Sequence, residues 1–252
     1  MEEIRADTAH GNLIPPDPAA PEGGSVRGGD GRPAVGIDGY RHGWVAVRAD
    51  EQGLTWATAG IPAIGDLVPA GVVVGIDMPI GLVAAGEREC DALARRALPG
   101  AASRVFTTPP RAVLELGPNA PNAEVQALSR LLMGKGVSRQ ALHLAPRILA
   151  LDAHLARLPA HRAVEVHPEL SFTELAGRVL TRKKSSEGSA QRLDALEAWL
   201  RGVRELVATR PSDVPLDDAL DALAALWTAQ RWRDGRARTL PAAADAPPRI
   251  VI

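Results

Sequence analysis

The chain of 252 residues has little cysteine, few aromatic residues and no long hydrophobic run. The single cysteine, Cys90, excludes an internal disulfide and a multi-cysteine zinc site, and it fits a reducing compartment. Aromatic residues make up 3% of the chain, so Val, Leu, Ile and Ala must supply most of a core. No stretch approaches the ~18 uninterrupted apolar residues of a membrane span, and residues 1–5 lack the apolar segment of a signal peptide. These absences predict a cytoplasmic protein with no membrane association.

Positive and negative charges are also nearly balanced, since the formal net charge is −1 at pH 7. Within residues 101–150, however, six basic residues stand against two acidic ones. This local bias permits a phosphate-bearing partner, and an ordinary solvated surface explains it equally well.

The hydrophobic pattern predicts one α/β domain over residues 33–246. Residues 1–32 are rich in Pro, Gly and charge without an apolar period, which predicts a disordered N-terminal extension. Three short apolar runs between residues 34 and 59 indicate an antiparallel meander. A short helix at 62–68 and a strand at 71–77, buried on both faces, are expected to follow.

The rest of the domain is predicted to be mostly helical, with a helical insertion at about residues 86–160 and a fifth strand at 163–167. Ser138 is expected to cap a long helix that ends at residue 158 and is kinked by Pro146. Residues 99–125 are expected to be irregular. Further helices are predicted at 87–98, 172–179, 190–208 and 216–233. The element order is therefore βββαβ…αβ…α, a mixed five-stranded sheet with helices on both faces.

Two of the predicted strands end in the same tripeptide, Gly-Ile-Asp, which places Asp38 and Asp77 at strand ends. Ligands of open α/β sheets bind at the carboxyl ends of strands. Carboxylates that lie close together repel each other and favour a cation between them, and Mg²⁺ or Mn²⁺ prefers such oxygen ligands. The structural alternatives are a turn-forming role for Asp38 and a loop-capping role for Asp77.

The last predicted helix adds Asp217, Asp218 and Asp221. The first two lie in the first helical turn, where the helix dipole favours acidic residues, so structural and functional explanations are equally good. Asp221 lies a turn deeper, beside the apolar stripe, and a functional role is favoured there.

Polar residues alternate with valines in the fifth predicted strand. Glu165 is a candidate metal ligand or orienting base. His167 is a candidate acid or base, or a hydrogen-bond donor to a metal ligand, and Glu169 is a candidate for the same roles. For His167 alone, a half-exposed strand with outward polar residues is the better explanation.

These motifs, in this order, resemble an uncharacterised bacterial family described as predicted RNase H-like nucleases. The resemblance spans roughly residues 33–240 and is carried by the segments 35–39, 75–81, 88–95, 103–111, 136–141, 165–172 and 217–223. It implies an RNase H-like fold with acids on the first strand (Asp38), the fourth strand (Asp77) and the last helix (Asp221). It also implies Asp218 as a further acid, as in Holliday-junction resolvases. The long insert before Glu165 departs from the wider superfamily.

The resemblance implies a metal-dependent nuclease that hydrolyses phosphodiester bonds of DNA or RNA. In such nucleases two metal ions lie about 3.5–4 Å apart, one activating water and the other stabilising the leaving oxygen. Arg104 and Arg111 would be phosphate ligands, although solvation or pairing with an acid explains them equally well. Lys183 and Lys184, on a loop expected to be mobile, would contact a nucleic-acid backbone, although a solvated loop is the simpler explanation.

Two other functions stay open at this point. The first is an ATP-dependent phosphotransferase or ATPase of the same superfold, in which Asp38 and Asp77 would handle phosphate, metal or water. No Gly-rich adenosine motif in the C-terminal half supports it. The second is a non-catalytic protein that binds nucleic acid or another partner. The five tryptophans are explained by packing, and the sequence does not indicate an oligomeric state.

Overall fold

A computed structural model describes residues 32–158, 162–242 and 246–252. The predicted disordered extension at residues 1–32 lies outside these ranges, except for Arg32. The described residues form a mixed α/β fold in which one sheet carries helices on both faces. None of these helices is long and apolar enough to cross a membrane.

The sheet contains seven strands in the order β3-β2-β1-β4-β5-β7-β6. The first three form the predicted antiparallel meander, and β4, β5 and β7 add to it in parallel. The strands are β1 (Ala34–Tyr40), β2 (Gly43–Asp50), β3 (Gly53–Ala59), β4 (Val73–Ile76), β5 (Ala163–Val166), β6 (Thr239–Leu240) and β7 (Ile250–Val251).

The prediction of five strands is wrong because two short strands lie in the C-terminal tail. The strands β6 and β7 have two residues each, too few for a hydrophobic period to be recognised. Ile250 and Val251 are nonetheless buried, and they pair with Glu165 and Val166 of β5. The sheet therefore extends beyond residue 246, the predicted end of the domain.

Helices α1 to α4 lie between β4 and β5, as the predicted helical segment requires, and α5 to α8 lie between β5 and β6. The helices are α1 (Glu89–Ala97), α2 (Arg111–Leu116), α3 (Asn122–Met133), α4 (Arg139–Leu155), α5 (Pro168–Ala176), α6 (Ser186–Trp199), α7 (Val203–Ala208) and α8 (Leu216–Arg233), with 3₁₀ helices at Ile61–Leu67 and Ala102–Arg104. The bounds of α8 match the prediction. The Ser138 hydroxyl accepts a hydrogen bond from the Ala141 N–H (3.2 Å), so it caps α4 as predicted.

Three helix predictions are wrong in detail. Residues 99–125, expected to be irregular, contain α2 and the start of α3. The helix predicted over 190–208 is two helices, separated at Gly202, whose φ of 80° is left-handed. Helix α5 begins at Pro168, before the predicted residue 172, because proline is favourable in the first helical turn.

The two faces of the sheet are covered by different helices. Helix α8 packs directly on β1, β4 and β2, and α5, α6 and α7 pack around it. On the opposite face, Ile37 and Ile76 pack against the first 3₁₀ helix and against Ile148 and Leu151 of α4. Helix α4 belongs to the segment predicted as an insertion, so that segment also supplies one layer of the fold.

Candidate metal centre

The glycine of each Gly-Ile-Asp motif allows α8 to lie against the sheet. Gly36 and Gly75 are paired in the register of β1 and β4. A Cβ atom on Gly36 would lie 2.1 Å from the Ala222 carbonyl oxygen, and one on Gly75 would lie 2.3 Å from that of Ala225. No residue with a side chain fits at either position without moving the helix. Because side chains alternate along a strand, the aspartates two residues later return to the α8 side.

Asp38, Asp77 and Asp221 meet where β1, β4 and α8 converge. Each offers one carboxylate oxygen, and these oxygens all lie within 4.8 Å of one another. Asp38 is 5% exposed and Asp221 is 2% exposed. The Asp77 N–H donates to the Ile37 carbonyl oxygen (2.9 Å), which extends the β1–β4 pairing by one residue. The three acids predicted as metal ligands are therefore neighbours, and we call them the acid triad.

Burial makes the charged state of the acid triad unfavourable. The pKa of Asp38 is raised well above its usual value by burial and then by the charges of Asp77 and Asp221. Burial and the charge of Asp221 likewise raise the pKa of Asp77. Burial raises the pKa of Asp221 as well, although Lys183 opposes this shift. Ionisation of the acid triad near neutral pH therefore calls for added positive charge.

One cation already lies against the acid triad. Lys183 donates a hydrogen bond from Nζ to Oδ2 of Asp221. Burial alone would lower the pKa of Lys183, but attraction to Asp221 and Asp38 outweighs it, and the pKa is raised. The other oxygen, Asp221 Oδ1, is buried and has no hydrogen-bond partner among the described residues. Its free lone pairs, together with the oxygens of Asp38 and Asp77, form a donor set that suits Mg²⁺ or Mn²⁺.

Glu165 lies in the same pocket, but its carboxylate is fully engaged. Arg88 donates from Nη2 to Oε1 (2.6 Å) and from Nη1 to Oε2 (2.8 Å), and the Ile80 N–H donates to Oε2 (2.7 Å). Arg88 is 1% exposed and also binds Asp91. Asp91 in turn accepts from the Thr108 N–H (2.8 Å). Glu165 therefore links β5 to the loop that follows Asp77, rather than facing the triad with a free carboxylate.

A second buried ion-pair network surrounds Glu169. Arg192 donates to Glu169 Oε1 (2.5 Å) and Arg104 donates to Oε2 (2.6 Å). Arg104 lines the pocket, and the pairing with an acid considered for it is present. His167 also lines the pocket, and its Nδ1 is buried without a partner among the described residues. Burial lowers the pKa of His167, which favours the neutral imidazole.

The remaining predicted site residues fall at different distances from the acid triad. Asp218 lines the main pocket, and burial, followed by the charge of Asp217, raises its pKa to about 6. Asp217 lines a neighbouring pocket that Lys183 and Lys184 share. Arg111 lines neither pocket; it pairs with Asp152 (2.7 Å), so the structure does not support it as a phosphate ligand.

We call the segment between α5 and α6 that carries Arg182, Lys183 and Lys184 the basic loop. It was expected to be mobile, but hydrogen bonds to α6 anchor its backbone. The Thr181 N–H donates to Gln191 (2.8 Å), and the Ser189 hydroxyl donates to the Lys183 carbonyl oxygen (3.1 Å). Arg192 donates to the Thr181 carbonyl oxygen (2.8 Å). Lys183 and Lys184 therefore extend from a supported loop into the wall of the pocket.

The acid triad lies in a pocket of about 720 Å³. Its walls come from the loops after β4 and β5, the second 3₁₀ helix, the start of α4 and the basic loop; their residues include Pro79, Ser103, Phe106, Gln140, Leu144 and Arg182. Sequence reasoning did not assign a site role to Arg88, Asp91 or Phe106. Arg88 and Asp91 are three residues apart at the start of α1, a spacing that allows pairing, but nothing local indicates their contact with Glu165.

Comparisons with known proteins give one match. No curated protein and no solved structure matches the chain. The model of a family described as "Protein of unknown function (DUF429)" matches residues 36–246, a range that contains every residue of the acid triad and of both ion-pair networks. Because this match covers most of the chain, the protein belongs to the DUF429 family.

Proposed function

We propose that the protein is a metal-dependent nuclease that hydrolyses phosphodiester bonds of DNA or RNA. One observation carries the proposal: three carboxylates, two of them almost fully buried, lie within 4.8 Å of one another, with one oxygen left without a partner among the described residues. A divalent cation would satisfy that oxygen and offset the repulsion. The basic residues Lys183 and Lys184 in the same pocket suit a phosphate-bearing substrate.

We also propose that the fold is RNase H-like. The support is the antiparallel meander β1–β3, the parallel strands β4 and β5, and acids on the first strand, the fourth strand and the last helix. This is the arrangement that the resemblance implies. Strands β6 and β7 would be additions at the edge of the sheet.

The residues would divide the work as follows. Asp38, Asp77 and Asp221 would hold the first cation, and Asp218 would help to hold a second in a two-metal site. Bound Mg²⁺ or Mn²⁺ would supply a water of lowered pKa and neutralise charge on the phosphate. Lys183 would keep its pair with Asp221 and would have two further N–H groups to donate to a phosphate oxygen. His167, which lines the pocket and whose pKa is lowered by burial, would accept or donate a proton.

The test combines metal binding with cleavage. The full chain is titrated with Mn²⁺ by calorimetry and incubated with single-stranded, duplex and branched oligonucleotides of DNA and RNA, with Mg²⁺ or Mn²⁺. The Asp38→Asn variant should lose cleavage and bind Mn²⁺ at least ~100-fold more weakly, because it replaces a negatively charged ligand with a neutral amide. Asp194→Asn, at a 70% exposed carboxylate, is the matched control and should behave as the unmodified protein.

Two results would refute the proposed nuclease activity. One is absence of cleavage of every substrate by folded protein with both metals. The other is undiminished cleavage by Asp38→Asn. A saturable rise in melting temperature with ATP and Mg²⁺, without cleavage of nucleic acid, would favour the phosphotransferase alternative.

A further inference from the structure

Phe106 is an aromatic residue on the wall of the pocket, outside the hydrophobic core. The chain has two phenylalanines, and the other, Phe172, is 1% exposed in the core beside α8. Phe106 is partly exposed and lines the pocket that holds the acid triad. It belongs to none of the hydrophobic clusters that the described residues form. A ring that lines a polar pocket loses part of its apolar burial, and a flat ligand stacked on it would restore that part.

The backbone on both sides of Phe106 is fixed. Val105 is 6% exposed and packs in a cluster with α1 and β7. The Thr107 hydroxyl accepts hydrogen bonds from Arg95 (2.9 Å) and Lys135 (3.2 Å), and the Thr108 N–H is held by Asp91. The ring is therefore presented by a supported segment, which lowers the entropy lost when a flat ligand stacks on it.

The depth of the acid triad limits what can reach it. Asp38 and Asp221 are 5% and 2% exposed, so a phosphodiester must enter the pocket to meet them. The volume of about 720 Å³ falls within the range of roughly 300–1,000 Å³ found for small-molecule pockets. One nucleotide of a single strand can turn into such a pocket. In a duplex the same movement requires unpairing and unstacking.

We propose that the site acts on single-stranded nucleic acid, with one base stacked on Phe106 and the neighbouring backbone against Arg182 and Lys184. This rests on the proposed nuclease function and narrows its substrate. Arg182 and Lys184 are exposed side chains that line the same pocket, on the loop whose backbone is anchored to α6. Stacking on an aromatic ring and charge along the backbone together recognise single strands without regard to sequence.

The experiment measures binding of the full chain by fluorescence anisotropy without divalent metal, so that the proposed nuclease does not cleave the probes. The probes are a labelled eight-nucleotide oligothymidylate, the matching oligouridylate, and a blunt hairpin duplex with as many phosphates. Single strands should bind at least about tenfold more tightly than the hairpin. Phe106→Ala and Phe106→Leu should lose about tenfold in single-strand affinity, and Phe106→Trp should keep it, because only Trp retains a ring face.

Leu131→Ala, at a 79% exposed side chain on α3, is the control and should change nothing. Circular dichroism and melting curves show that each variant is folded; Phe106→Trp keeps the test decisive if the smaller substitutions unfold the loop. Equal affinity for strand and hairpin, or full single-strand affinity in folded Phe106→Leu, would overturn the inference.

Cleavage separates this inference from the proposed function. If duplex is cleaved as fast as single strand and Phe106→Leu has no effect, the single-strand inference is refuted. The proposed nuclease activity would not be affected by that result. If single strands bind selectively and this binding depends on Phe106, but no cleavage occurs in Mg²⁺ or Mn²⁺, the proposed nuclease activity is refuted. The inference that the pocket recognises single strands would then still hold.

Discussion

Replacing Gly36 with alanine would test whether close contact between α8 and the sheet positions the acid triad. A methyl group at this position would lie 2.1 Å from the Ala222 oxygen and 2.2 Å from the Leu226 nitrogen. Ordinary van der Waals contact begins at 3.4 Å, so β1 and α8 would have to separate by about 1.3 Å. Both atoms are backbone, and neither can rotate away as a side chain can. The helix itself must therefore move.

The loss of stability in Gly36→Ala follows from that movement of the helix. Inserting a methyl group into a packed interior destabilises by about 1–3 kcal/mol, and a backbone clash belongs at the upper end of this range. For a chain of this size, about 3 kcal/mol lowers the melting temperature by roughly 6–12 °C. Asp221 precedes Ala222, so its carboxylate moves with the helix. A ligand displaced by about 1 Å weakens a metal site, and we expect Mn²⁺ affinity to fall at least about tenfold.

The assay compares Gly36→Ala with Gly60→Ala, by thermal melting without metal and by Mn²⁺ calorimetry. Gly60 has a φ of −65°, and a Cβ there would meet only Pro62 Cδ at 3.9 Å, so alanine is tolerated. Gly75→Ala, whose Cβ would lie 2.3 Å from the Ala225 oxygen, should behave like Gly36→Ala. Equal melting temperatures and Mn²⁺ affinities for the substitutions at residues 36 and 60 would refute the reasoning.

Three further predictions concern the charges in and around the site. Arg88→Met should lower the free energy of unfolding, measured in urea, by about 3–5 kcal/mol, because it leaves two buried acids without their cation. The control Arg204→Met, at an ion pair whose side chains are 50% and 70% exposed, should lose less than about 1 kcal/mol. Similar losses in the two variants would contradict this prediction. Lys183→Met should lower the melting temperature of the metal-free protein and enlarge its rise with Mg²⁺, while Lys184→Met should do neither. Burial raises the carboxyl pKa values of the acid triad and raises that of Asp218 to about 6. The folded chain therefore keeps protons that the unfolded chain releases near pH 4. The contribution of these groups to metal-free stability should therefore fall as pH rises from about 4 through the folded pKa values, and Mn²⁺ affinity should rise over the same range; calorimetry in two buffers would detect the released protons.

The parts of the fold that the sequence predicted are those with a strong local pattern. The run around Gly75 has enough β-branched residues to identify a buried strand, and α8 has large apolar residues at helical spacing, although the structure buries every residue from 219 to 230. Asp38 and Asp77 were predicted as neighbours because both end a strand in the same tripeptide. What the tripeptide did not reveal is the purpose of its glycine, since the contact with α8 lies more than 140 residues away in the chain.

The features that the sequence did not predict depend on distant partners or very short elements. Arg88 and Glu165 are 77 residues apart, and neither has a local pattern that indicates the other. Pairing with an acid was one of the alternatives for Arg111, but the sequence did not identify its partner, Asp152 on α4. Ile250 and Val251 form a strand only because β5 offers an unpaired edge beside them. Such contacts arise from tertiary packing, which periodicity does not encode.

If the proposed two-metal site forms, the charges in the pocket allow Lys183 to stay beside the acid triad. When ionised, the acid triad carries three negative charges, and Lys183 neutralises one of them. Arg88, Arg104 and Arg192 carry three positive charges against three negative ones on Glu165, Asp91 and Glu169, so the two ion-pair networks together add no net charge. The remaining two negative charges are balanced by one divalent cation. A second cation needs two more, and Asp218 together with the phosphodiester of a bound strand would provide them. We therefore expect the first cation to bind the free protein and the second to bind only with substrate, so that the complete centre would not form before the proposed strand is in place.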